Sequence, residues 1–299
     1  MTSNKAKYYL ILILACFLWG TTPLCGRYLR DCMSPLLITA ARFYLVTLIL
    51  FALIYLKDGK KGFKISFKDA KILFLMGFMG IFLHNSLFFE AVRTIPASNA
   101  ALIESIGPAI TSVLAFFFIG EKLSKLGWLG IFISAIGAIF IVCKGNLEAL
   151  LDFQINFGEI LVIISESTWS FYIILSWKLS NKLNSLAITA WTGLTGAILC
   201  TLTGLVLGEL TVYKITTTDV IYFLVLSIMA GVVSFVSWNY AIVKVGASKG
   251  SSLVYLIPLF GVMFGITILD EKFVVQEAIG GAIIILGLIF AMKAKLSSK

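Results

Sequence analysis

Charge is scarce in this chain of 299 residues. Asp, Glu, Lys and Arg make up 13% of it, roughly half of what a soluble domain carries. It has one histidine, so a His-rich metal cluster is excluded. No serine–histidine–aspartate set and no P-loop occurs. The five cysteines, Cys16, Cys25, Cys32, Cys143 and Cys200, are odd in number and scattered, which speaks against a disulfide framework or a zinc site; they read as small apolar packing residues. Strands of alternating polarity are missing as well, which excludes an outer-membrane barrel. The sequence thus calls for no enzyme chemistry, no cofactor and no metal.

What is abundant is apolar surface. Hydrophobic residues make up 60% of the chain and the mean hydropathy is +1.01, which excludes a soluble single domain and a disordered chain. About 20 apolar residues cross a bilayer as a helix, so ten helices take about 200 residues and leave about 10 for each connection. Ten runs are present, at 8–27, 35–56, 72–92, 97–119, 126–143, 158–177, 186–207, 220–242, 250–269 and 274–292. Each is bounded by charge or by Gly, Pro and Asn. Only helices satisfy their own backbone at membrane depth. Lys5 and Lys7 before the first run imitate the basic end of a signal peptide, but nine further spans follow, and the run reads as a retained first span.

Lysine sets the orientation. With the N-terminus in the cytoplasm, the inner segments hold 17 Lys and Arg, the outer loops hold 6, and Arg42 lies within a span. Both termini then fall inside the inner or plasma membrane of a cell. The net charge of +9 is a topology signal with room for lipid contact, not a nucleic-acid footprint.

The two halves align without gaps at an offset of 150. Ala91 meets Ala241, Ala97-Ser98 meets Ala247-Ser248, Pro108 meets Pro258, and Glu121-Lys122 meets Glu271-Lys272. Gly130 meets Gly280, Gly137 meets Gly287, and Trp19 meets Trp169. Each half holds five spans, an odd number, so the second enters the membrane inverted. The expected fold is an all-α integral membrane protein of ten transmembrane helices in two inverted five-helix repeats, 1–145 and 155–299. Inverted repeats are a design of secondary transporters, because one segment in two orientations can adopt two conformations and exchange them.

With its ten spans in two halves, its Trp in the first and sixth, and its Ala-Ser…Pro…Glu-Lys pattern at 97–122 and 247–272, the chain resembles the EamA branch of the drug/metabolite transporter superfamily over nearly its whole length. The resemblance implies a central cavity enclosed by the first four helices of each half, with the fifth and tenth packed peripherally. It implies alternating access and leaves the solute open among amino acids, amines, aromatic solutes, sugars and other metabolites.

Polar groups deep in the spans are the candidates for solute contact, because ionisable residues there are costly. They are His84, Glu104, Glu166 and, nearer the outer end of its span, Arg42; Glu90 and Glu159 read as edge charges. Helical spacing gathers further groups into faces. Ser165, Trp169, Tyr172 and Ser176 form one, with Glu166 beside it. Ser227, Gly231, Ser234 and Trp238 form another, with Asn239 beside it. Gly77, Gly80 and His84 form a third, next to Asn85. The offset pairs His84 with Ser234 and Ser105 with Tyr255.

Trp19, Trp169, Tyr172, Trp238 and Tyr255 are expected to give the pocket its aromatic surface, with Asn85, Asn239 and His84 as hydrogen-bonding partners. Glu104 and Glu166 would bind a proton or a cationic group, but not both at once, which is a basis for proton-coupled efflux. Pro108 and Pro258 are expected to kink their helices as flexing points. Import of a choline-like cation, or transport of a neutral or anionic metabolite with Arg42 as partner, are the alternatives. The expected partners are a small solute, membrane lipids and protons, in a monomer or homodimer.

Overall fold

A computed structural model of the protein describes residues 3–120, 124–142, 156–179, 182–245, 252–272 and 274–297. Among these residues the regular structure is helical, apart from one antiparallel bridge between Met33 and Val212. The first half contains α1 (Ser3–Leu29), α2 (Pro35–Asp58), α3 (Phe67–Met76), α4 (His84–Thr94), α5 (Ala97–Glu104), α6 (Gly107–Ile119) and α7 (Lys125–Val142). The second contains α8 (Phe157–Leu179), α9 (Ser185–Leu207), α10 (Thr217–Leu224), α11 (Ser234–Val245), α12 (Leu256–Ile268) and α13 (Val275–Ser297). Among the described residues seven segments are long and apolar enough to span a membrane, and three shorter apolar helices complete ten. The first three spans run longer than their apolar runs, the third extending over 67–94, because polar caps add turns that hydropathy does not register.

The third and eighth spans are each built in three pieces. A π-helical segment, Gly77–Leu83, joins α3 to α4, and another, Val225–Val233, joins α10 to α11. They end at the same place in each repeat: the His84 amide reaches back to the Met79 carbonyl, and the Ser234 amide to the Met229 carbonyl. Both are i→i−5 bonds between positions 150 residues apart. π segments of this kind are frequent at functional sites because they re-aim the side chains that follow.

Both spans also begin alike. The Ser66 hydroxyl accepts from the Asp69 amide at 3.2 Å, and the Thr216 hydroxyl accepts from the Asp219 amide at 3.3 Å. Such capping satisfies an amide that a helix start otherwise leaves open.

The expected kink at Pro108 takes another form. The fourth span is broken at Ser105-Ile106, and Pro108 is the second residue of the new helix α6, where the missing N–H costs nothing. In the ninth span a short 3₁₀ segment, Ser252–Tyr255, precedes α12, and Pro258 again lies in the first turn. The breaks thus precede the prolines.

Small residues set the helix contacts, as membrane packing requires. A methyl group on Gly20 would stand 2.6 Å from the Phe260 side chain and 3.2 Å from the Ile257 carbonyl, fixing α1 on α12. The counterpart Ser170 donates to the Gly107 carbonyl at 3.4 Å and pairs with the Thr111 hydroxyl at 2.8 Å, fixing α8 on α6. Helices α7 and α13 pack chiefly against each other, outside the group that encloses the centre.

One face of the molecule is tied across the halves. Ser34 N donates to Thr211 O and Tyr213 N to Cys32 O. Arg27 donates to the carbonyls of Val92, Arg93 and Ile95, which closes the C-terminus of α4. Glu271 accepts from the amides of Ala97 at 2.7 Å and Ser98 at 2.9 Å, so a carboxylate from the second half caps α5 of the first. Arg27, Tyr28, Arg30, Asp31, Leu269 and Glu271 line a cavity of about 330 Å³ on this face.

Candidate functional site

The deep polar residues gather where the broken spans meet. His84 is the first residue after the π segment, Glu104 is the last residue of α5 before the chain turns, and Glu166 lies mid-way along α8. One ligand atom of each, a ring nitrogen of His84 and a carboxyl oxygen of each glutamate, lies within 4.8 Å of the other two. His84 Nδ1 stands 3.9 Å from Glu166 Oε1 and 3.0 Å from the Ser165 carbonyl. Glu166 lies against the backbone of Gly107, where a side chain would collide with its Oε2. The break in the fourth span therefore does two things: it ends a helix at Glu104 and leaves a bare backbone for Glu166 to approach.

Three such donors are of the kind that hold a divalent cation. A proton or an organic cation would find the same two carboxyl groups and ring nitrogen there.

The aromatic residues divide into two groups. The Trp169 and Tyr172 rings stack at 4.6 Å and 8°, with Trp169 at 5.1 Å from the His84 ring. Tyr172 is buried, its ring lies over Gly80, and its hydroxyl faces Thr189 and Thr192; it holds Trp169 from behind. The other group is Trp19 with Phe235 at 5.2 Å and Trp238 at 5.3 Å. The side chains of Asn239 and Tyr255 lie outside the described residues.

Asn85 follows His84 directly but faces elsewhere. Its amide nitrogen donates to the carbonyls of Gly80 and Ile81, at 3.2 and 3.1 Å, both within the π segment. Its Oδ1 accepts from Arg42 Nη1 at 3.1 Å.

Glu90 is an edge charge, paired with Arg93 at 3.2 Å. Glu159 is not: it is buried, and Asn99 donates to its Oε1 at 2.9 Å. Its place near a span end suggested hydration, but Asn99 in the first turn of α5 reaches it. Sequence reasoning also missed the Glu271 cap. The signal was there in the repeated Ala-Ser and Glu-Lys, which prove to be the two sides of one contact made between halves.

The model of the EamA-like transporter family matches this chain twice, over residues 6–143 and 156–293. The chain belongs to the EamA-like transporter family. It is a multi-span membrane transporter, with ten transmembrane helices in two inverted five-helix repeats. Its relatives include the uncharacterized transporter YyaM of Bacillus subtilis strain 168, 26% identical over 95% of this chain and 92% of the relative. An uncharacterized transporter of Archaeoglobus fulgidus is 28% identical over 95% of this chain and 96% of its own length. A crystal structure at 20% identity superposes with a TM-score of 0.67, covering 98% of this chain and 99% of that one; it shares the fold.

Proposed function

We propose that this EamA-family transporter moves a small organic solute, an amino acid, an amine or a similar metabolite, out of the cell in exchange for protons. The observation that carries this is the cluster of His84, Glu104 and Glu166 at mid-membrane, with ligand atoms within 4.8 Å of each other. Two carboxyl groups so close, with little water to screen them, do not both ionise without a compensating cation. The pair therefore holds a proton or the cationic group of a solute, one at a time. Release of the solute on the proton-rich side and its uptake on the other follow from that exclusion. The Trp169 ring beside His84 offers a π face to an ammonium group.

Such a site would also suit a quaternary ammonium ion taken up by the same path, so direction is the point to be measured. The lysine bias supports a cytoplasmic (inner or plasma) membrane with both termini inside. The role is transport rather than catalysis.

The test is purified protein in liposomes, with wild type, Glu104→Gln and Glu166→Gln compared. A pH gradient should drive solute flux in wild type. Either variant should lose the gradient-driven component while keeping solute exchange at equal pH on both sides. Gradient-driven flux that survives in both variants would remove the carboxyl pair from the mechanism.

A further inference from the structure

The connection between the second and third spans carries six lysines, Lys57, Lys60, Lys61, Lys64, Lys68 and Lys71, and all six are exposed. Every other segment on the lysine-rich side holds two or three cations. Orientation needs an excess of charge on that side, not its concentration in one connection. Two carboxylates share the segment. Asp69 is buried, accepts from the Ser66 hydroxyl at 2.6 Å and stands 3.5 Å from Lys182. It is therefore turned toward the second half, and Lys182 brings one more cation to the same place. Asp58 is the one exposed acid between Lys57 and Lys71.

The lysines are presented from an ordered turn. The Gly59 amide bonds to the Tyr55 carbonyl, and the Lys64 amide to the Lys61 carbonyl. A methyl group on Gly62 would stand 2.5 Å from the Ile54 side chain, so the turn lies directly on α2. The Phe63 ring anchors it, 5.4 Å from Phe51 and 6.4 Å from Tyr55. Ser66 then caps α3, on which Lys68 and Lys71 lie one turn apart. Like charges held this close repel one another, and an anion among them relieves the repulsion.

Apolar side chains stand beside these cations. Leu56, 81% exposed, precedes Lys57, and Phe67, 78% exposed, precedes Lys68. Lys71 Nζ lies 4.9 Å from the centre of the Phe67 ring. A soluble anion would need the cations alone. A phospholipid offers phosphate next to hydrocarbon and matches both.

The repeat shows that the turn does not require the lysines. At the offset of 150 the same connection is made by residues 207–221, where Lys214 is the one cation, in the company of Glu209 and Asp219. That counterpart faces the other side of the membrane. The charges are additions to a symmetric frame, and they are made on one side.

We propose that residues 56–71 form a binding surface for the headgroups of anionic phospholipids in the cytoplasmic leaflet. The inference goes beyond the transport reading. It depends on which side this segment occupies and on neither the solute nor its coupling to protons.

The test uses the purified full chain in a neutral detergent, with phosphatidylglycerol or phosphatidylcholine added back. Thermal unfolding and the lipid retained through washing are both read. Wild type should melt higher with phosphatidylglycerol and retain it in preference, and raised salt should weaken the preference. A triple variant, Lys60→Gln, Lys61→Gln and Lys64→Gln, should bind phosphatidylglycerol about tenfold or more weaker. The same three positions changed to Arg keep the charge and should keep the preference, which guards against a folding defect. Lys293→Gln, Lys295→Gln and Lys299→Gln together remove equal charge elsewhere and should leave it unchanged. Equal melting of wild type in the two lipids, or a preference indifferent to salt, would overturn the assignment. So would an equal loss in the C-terminal triple variant, which would make net charge the cause. Stabilisation by glycerol phosphate or a short nucleic acid as large as that by the lipid would also overturn it, by showing a site for soluble anions.

Discussion

Ser134 donates its hydroxyl hydrogen to the carbonyl oxygen of Ile284 at 3.1 Å, and Ile284 is its own counterpart 150 residues later. Equivalent residues can touch only where a two-fold axis passes between them. The neighbours agree: Gly137 lies against the Gly280 backbone and Gly287 against that of Gly130, each contact being the other under the same offset. A second such point joins α2 to α9, where Gly193 meets its counterpart Phe43. The pseudo-symmetry of the sequence is therefore a physical axis.

That axis is sensitive to volume. A methyl group on Gly137 would stand 2.8 Å from the Gly280 carbonyl and 2.8 Å from the Ile284 amide, both backbone atoms that cannot step aside. Gly137→Val and Gly287→Val should each destabilise by about 1–3 kcal/mol, the usual cost of overpacking. The same change in size at the exposed Leu286 should cost under about 0.5 kcal/mol. Thermal unfolding in detergent measures this, and a Gly137→Val protein that melts with wild type would mean that α7 and α13 do not meet as described.

The caps of the third and eighth spans offer a cleaner measurement. Ser66→Ala and Thr216→Ala each remove the hydroxyl that accepts a helix-start amide. Each should cost about 0.5–2 kcal/mol, and because the two sites share no partner the double variant should show the sum within about 0.5 kcal/mol. A double variant no worse than one single would mean the two spans do not contribute independently.

The number of spans, their approximate ends and the offset of 150 were legible from hydropathy and identity alone. So was the pairing of His84 with Ser234, which both turn out to close a π segment. The π segments themselves were not legible, because an extra residue in a helical turn leaves no mark on an apolar run. The meeting of His84, Glu104 and Glu166 needed three spans placed side by side, and only their depth was visible beforehand. The aromatic box was drawn as one group because spacing along a helix does not say which way each face turns; Trp19 and Trp169 prove to have separate ring partners. Arg42 and Asn85 were each conspicuous, but their contact lies between helices.

The asymmetry of the charged groups predicts what their loss will do. Glu104→Val and Glu166→Cys put at each place the residue that the other half carries there. Both proteins should remain folded, with stability within about 1 kcal/mol of wild type or above it, because removing one of two crowded carboxyl groups relieves repulsion and a desolvation cost. Both should lose gradient-driven flux. Unfolding of either variant under conditions where wild type is stable would show that the carboxyls hold the fold together, and the transport role would have to be sought elsewhere.

Glu271 joins the two halves on the tied face. Its carboxylate takes the first two amides of α5, and a negative group at a helix start contributes about 0.3–1 kcal/mol, up to about 2 kcal/mol when partly buried. For alternating access this face must open, and the contact is the cross-half tie most easily undone, being one side chain and no packed core. Cys25 lies fully buried one helical turn in from the face, which makes it a reporter. In a protein whose other cysteines are replaced by alanine, a membrane-impermeant maleimide applied to that face should label Cys25 slowly. Glu271→Ala should raise the rate several-fold, and Glu271→Gln by less, because the amide oxygen still accepts one of the two bonds. Equal labelling in all three proteins would mean that the face opens without releasing α5, and that Glu271 serves only as a helix cap.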